Sequence, residues 1–93
     1  MIKFSVFLSK TSIKFLKSLD KKTHDRIKND LRELESDPFT SRPNADIKKL
    51  HKHSKSQLYR IRIGNYRAVY AVENNSVKVA RIFPRGKGYE WLE

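Results

Sequence analysis

Arg60, Arg62, Arg67 and Arg85 are the side chains of this sequence best suited to chemistry. A guanidinium presents paired N–H donors to an anionic oxygen and stays protonated at physiological pH. Several of them around one phosphodiester stabilise the negative charge that develops on a pentacovalent phosphate. RNA carries its own nucleophile, the 2′-hydroxyl. A protein acting on it has only to position that group, remove a proton and protonate the leaving oxygen. DNA lacks this nucleophile, so any catalysis by such a cluster points to RNA. Arginine is a poor proton acceptor. The available proton carriers are His51, His53, Lys52, Lys55, Lys87 and Tyr89, and the choice among them stays open. Tyr89 and Trp91 either stack on bases, a usual role for aromatics beside basic residues, or close a small core. With no Cys, no His pair at helical spacing and no locally supported Ser–His–Asp arrangement, neither a metal nor a cofactor is expected.

The arginines must be positioned by strands. Gln57–Ile63 and Tyr66–Glu73 flank Gly64-Asn65, a two-residue hairpin signal. That turn pairs Ile63 with Tyr66, Arg62 with Arg67, Ile61 with Ala68 and Tyr59 with Tyr70. Successive side chains alternate faces. One face then carries Tyr59, Ile61, Ile63, Tyr66, Ala68 and Tyr70, and reads as core. The other carries Leu58, Arg60, Arg62, Arg67 and Val69. Like charges directly opposite are destabilising, and no acid lies nearby in sequence to relieve them. Either this face binds a polyanion, or the guanidiniums splay into water or meet helix acids such as Glu33 and Glu35. Arg85 leaves the next strand between Pro84 and Gly86, at the end of the same sheet. Alternation places Arg81 on the core face beside Val77, Val79 and Phe83; a bulge or a position at the sheet end would resolve that conflict.

The rest of the chain supplies the support. Ile2, Phe4, Val6 and Leu8 alternate with Lys3, Ser5, Phe7 and Ser9 and predict a first strand. Ser9 or Thr11 caps a helix with Ile13, Leu16 and Leu19 as its apolar stripe. Asp20-Lys21-Lys22 is a break, and Thr23 caps a second helix with Ile27, Leu31 and Leu34 inward. It ends near Ser36, ahead of Pro38. Residues 37–56 read as a surface loop with a short extended piece at most. Asn74-Asn75 turns the chain into a strand over Ser76–Phe83. The expected fold is α+β, in the order β-α-α-β-β-β, with a helical hairpin packed on one largely antiparallel sheet.

Length and charge bound the function. Ninety-three residues allow one domain, residues 1–93, with a thin core. No apolar run approaches the roughly 18 residues of a membrane span, and no signal peptide opens the chain. A cytoplasmic protein is expected. The 21 basic and 10 acidic residues leave a net +11. Residues 1–47 hold ten basic and seven acidic residues, and residues 48–93 hold eleven and three. Such an imbalance is usually answered by an anionic partner: nucleic acid, an anionic membrane surface or an acidic protein.

The segment Leu58-Tyr59-Arg60-Ile61-Arg62-Ile63-Gly64-Asn65-Tyr66-Arg67-Ala68-Val69-Tyr70 resembles the Y-[KR]-x-[KR]-hydrophobic-G-x-Y-R-hydrophobic-hydrophobic-Y motif of RelE/ParE-superfamily toxins. Ile47-Lys48-Lys49-Leu50 resembles their short K-L element. Phe83-Pro84-Arg85-Gly86-Lys87-Gly88-Tyr89 is similar to the ending of archaeal RelE proteins. The resemblance covers the whole element order. It implies a toxin of a type II toxin–antitoxin pair that enters the ribosomal A site and cuts mRNA without metal, leaving a 2′,3′-cyclic phosphate and a 5′-hydroxyl. It also implies an acidic, RelB-like antitoxin, with ribosome and mRNA as the other partners and no membrane. By position, Arg62, Arg67, Arg85 and Tyr89 take the catalytic places. Arg60, Lys48, Lys52, Lys87 and Trp91 take RNA-binding ones. The two strand positions commonly Lys in bacterial members are both Arg here, and the spacing from Arg85 to Tyr89 is shorter. The same fold also serves ParE toxins, which inhibit DNA gyrase without nuclease chemistry, and would suit a non-catalytic RNA-binding module.

Overall fold

The computed structural model describes residues 3–50 and 57–87. The elements are β1 (Ser5–Leu8), α1 (Lys10–Lys17), α2 (Lys21–Leu31) with a 3-10 turn (Arg32–Glu35), β2 (Asp46–Lys49), β3 (Leu58–Ile63), β4 (Tyr66–Glu73) and β5 (Ser76–Pro84). They form one sheet in the order β1-β5-β4-β3-β2. Among the described residues only the β1–β5 pair is parallel. The extended piece in the expected loop is β2, a fifth strand on the outer edge of β3.

Both helices bury one side against the sheet. Leu16, Ile27, Leu31 and Leu34 meet Ile47, Ile61, Ile63, Ala68, Tyr70, Val77, Val79 and Ile82. Fully burying an aliphatic side chain of this size contributes about 1.5–3 kcal/mol. The expected stripe of α1 is corrected at one position. Ile13 is 40% exposed while Ser12 is buried, because three-residue spacing lags behind a 3.6-residue turn. The start of α2 is also corrected. Asp20, not Thr23, is the cap: its Oδ2 accepts the Thr23 N–H at 3.1 Å. The Thr23 hydroxyl and then the Thr23 N–H hold that carboxyl below its ordinary pKa.

Residues between the 3-10 turn and β2 close one end of the core. Arg42 donates to the carbonyls of Glu33 (2.8 Å), Asp37 (3.0 Å) and Thr40 (2.6 Å). It also lies 3.5 Å from the Glu33 carboxylate. The Tyr70 hydroxyl donates to the buried Pro38 carbonyl at 2.7 Å. Tyr70→Phe leaves that carbonyl without its donor and is expected to cost about 1 kcal/mol in urea unfolding at neutral pH. Burial pushes the Tyr70 pKa up. The folded state therefore favours the protonated phenol, and this contribution is complete below about pH 10 and is lost as pH rises further. Wild type should lose stability above pH 10 more steeply than Tyr70→Phe; parallel curves would refute this assignment.

The candidate anion-binding face

Hairpin geometry sets the site. Gly64 has φ +58°, the first central position of a II′ turn, whose twist suits the two flanking strands. A Cβ there would lie 3.0 Å from the Arg26 guanidinium. The register places Arg62 opposite Arg67, Ile61 opposite Ala68 and Tyr59 opposite Tyr70, as the turn length predicts. Arg60, Arg62 and Arg67 thus share the sheet face away from the helices. Together with Lys48 and Leu50 they line a shallow groove of about 300 Å³.

An acid distant in sequence reaches these arginines. β2 brings Asp46 opposite Arg62, and its Oδ1 lies 3.6 Å from Arg60 Nη1. The Asp46 side chain is half exposed and the Arg60 side chain only 13%, so water screens this pair from the Asp46 side alone. Glu33, one of the helix acids weighed above, instead meets Arg42.

Arg67 is only 8% exposed. Its Nη1 donates to the carbonyls of Tyr66 (3.0 Å) and Gly64 (3.3 Å). The same turn anchors Arg85, whose backbone N–H donates to the Asn65 carbonyl at 2.7 Å. Lys87 N–H closes onto the Pro84 carbonyl at 3.1 Å. With Gly86 at φ +82°, residues 84–87 form a type II turn, which favours glycine at its third position. Arg85 and Lys87 are both exposed. Arg85 continues the β4–β5 ladder one step past Tyr66–Pro84, beside the end of the groove.

Arg81 is the residue that strict alternation misplaced. Tyr70 pairs with Val79 and Val69 with Arg81, leaving Ala80 as a bulge. One extra residue switches the faces. Val77, Val79 and Ile82 stay in the core, while Arg81 and Phe83 join the arginine face. Ser9 holds the bulge. Its N–H donates to the Val79 carbonyl at 3.0 Å, and its hydroxyl donates to the Ala80 carbonyl at 2.8 Å. The groove and its margin thus gather Lys48, Arg60, Arg62 and Arg67, with Arg85 at the turn end and Lys87 beyond it. Lys52, Tyr89 and Trp91 lie outside the described residues, as do His51, His53 and Lys55. Among the described residues no three His, Cys, Asp or Glu side chains form a group that could hold a metal. No described helix is long and apolar enough to cross a membrane.

A helical hairpin backing an arginine-lined, mostly antiparallel five-stranded sheet is the α+β fold of RelE-like toxins. One chain of the archaeal RelE–RelB complex from Pyrococcus horikoshii is 32% identical, with a TM-score of 0.77 over 92% of this chain and 99% of that one. One chain of the RelB–RelE antitoxin–toxin complex from Methanococcus jannaschii is 28% identical, with a TM-score of 0.68 over 94% and 99%. The YoeB dimer from Staphylococcus aureus, at 21% identity and a TM-score of 0.67 over 92% and 99%, shares the fold. No curated protein matches by sequence. The model of the ParE toxin of the type II toxin–antitoxin system parDE matches residues 6–89. The chain belongs to this family, within the RelE/ParE superfamily of toxins.

Proposed function

We propose that this toxin is an endoribonuclease that cuts mRNA on the ribosome and so stops translation, and that an acidic RelB-like antitoxin restrains it. The gathering of Arg60, Arg62 and Arg67 on one face of the sheet, with Arg85 tied by its backbone to the turn at its end, carries the reading. In the reaction the 2′-hydroxyl attacks the adjacent phosphorus and the P–O5′ bond breaks. The products are a 2′,3′-cyclic phosphate and a 5′-hydroxyl. One proton leaves the 2′-oxygen and one reaches the departing 5′-oxygen. Arg62 and Arg85 donate to the non-bridging oxygens as charge accumulates there. Arg67 lines the same groove and holds the turn beside it. Arg60, Lys48 and Lys87 hold flanking phosphates, and Lys52, Tyr89 and Trp91 complete the contacts. The described site is rich in permanent cations and poor in proton acceptors, which fits a site that the ribosome completes. The antitoxin reading draws on the net +11 charge and on the two archaeal relatives, each solved with RelB.

The ParE family match favours a second reading, inhibition of DNA gyrase by binding. An in vitro translation reaction with the purified chain, read by primer extension, separates the two. Cuts inside the reading frame that require engaged ribosomes are expected. Intact mRNA with unimpeded translation, and inhibition in a parallel gyrase supercoiling assay, would transfer the proposal to gyrase.

A further inference from the structure

The sheet face that carries the arginines has a second, apolar region. β1 lies beside β5 with Phe7 opposite Lys78; Lys78 is opposite Ala71, and Ala71 is opposite Leu58. Val6 and Leu8 pack on the core, so Phe7 faces away from the helices, 55% exposed. Phe7, Ala71, Lys78, Val79 and Ala80 line a shallow groove of about 330 Å³. Ala71 and Ala80 raise only a methyl each, which leaves room for a flat ring beside Phe7.

The bulge at Ala80 links this region to the arginines. On β5, Lys78 pairs with Ala71 and Arg81 with Val69, so these two cations occupy adjacent rows of one face. Along β4 the face runs Ala71, Val69, Arg67, with rows about 6.8 Å apart. Phe7 therefore lies about 14 Å along the strand direction from the Arg62–Arg67 row. That separation suits roughly two nucleotide steps of an extended single strand. Lys78 Nζ is 3.6 Å from Glu73 Oε1, both more than half exposed. A pair so solvated is weak enough to exchange Glu73 for a phosphate.

Resting on the RNA reading above, we propose that Phe7 is a stacking platform for one base of the bound single strand, with that nucleotide's phosphate between Lys78 and Arg81. An aromatic platform beside a positive track is how single strands are held without sequence readout. The cationic row directly alongside, continuous with the arginine groove, favours a nucleotide over an apolar protein segment.

The test uses uncleavable 2′-O-methyl oligoadenylates of two and eight nucleotides, titrated into the purified chain. Phe7→Ala should weaken octamer binding about tenfold, the loss of one stacked base, and leave dinucleotide binding, too short to bridge the arginine row and Phe7, unchanged. Phe7→Trp should restore the octamer. Equal losses for both lengths, or no loss for either, would overturn the platform. So would loss of antitoxin co-purification in Phe7→Ala with RNA binding intact, which would give the surface to the protein partner. If wild type binds neither oligonucleotide and cuts no mRNA, the RNA reading falls with it. If wild type cuts and Phe7→Ala binds like wild type, only the platform falls.

Discussion

Arg85→Ala is expected to slow ribosome-dependent mRNA cleavage by about 10²–10³-fold, the usual cost of removing one preorganised donor from a developing oxyanion. Its melting temperature should not move. The Arg85 side chain is exposed, and what anchors the loop is its backbone N–H on the Asn65 carbonyl, which alanine retains. Antitoxin co-purification should survive as well. Arg85→Lys keeps the charge but loses the planar fork, so an intermediate rate is expected. Primer extension over a time course reads the rates, and thermal unfolding reads the fold. Cleavage within threefold of wild type in the alanine variant would remove Arg85 from the mechanism.

Arg67→Ala should differ by damaging both activity and stability. Two opposing effects meet at this residue. Deleting one guanidinium relieves the repulsion with Arg62 across the strands, worth at most about 1 kcal/mol. It also removes charged hydrogen bonds to the Gly64 and Tyr66 carbonyls. Bonds of that kind contribute roughly 1.5–3 kcal/mol, and at 8% exposure water replaces them poorly. A net loss of stability is therefore expected in urea unfolding. Because the same turn anchors Arg85, the two residues should couple. The Arg67→Ala/Arg85→Ala double variant should cleave little more slowly than Arg67→Ala alone. Additive rate losses would show that Arg67 acts independently of Arg85, and a gain in stability would show that repulsion dominates.

The hairpin was readable because turn length dictates register: Gly64-Asn65 alone aligned Arg62 with Arg67 and put Ile61, Ile63 and Tyr70 inside. The second helix was readable from Ile27, Leu31 and Leu34, all buried. What stayed hidden had no periodic trace. β2 is four residues with a single apolar member, Ile47, so neither alternation nor length marks it. Leaving the bounds and the pairing of that extended piece open also hid the contact between Asp46 and Arg60. The bulge at Ala80 conflicts with alternation in a way that flagged Arg81 without placing it. Asp20 looked like a break because an N-cap and a turn favour the same residue types. The arginine face was legible as a set of residues. Its connection through the Gly64–Asn65 turn was not, since bonds to backbone carbonyls depend on three-dimensional approach.

The parallel pairing of β1 with β5 has a consequence for how the toxin comes into being. Ser5–Leu8 precedes every other described strand in the chain, and among the described residues its one strand neighbour is Ser76–Val79. The apolar sides of both helices likewise await β3, β4 and β5. Until Val79 has emerged, the sheet beneath the helices is at most β2, β3 and β4, β1 has no partner strand, and Arg85 has yet to reach the Asn65 carbonyl. Closure over so long a sequence separation is slow compared with local pairing. A chain built this way completes its sheet late, and a protein partner has an interval in which to meet it before β1 and β5 close.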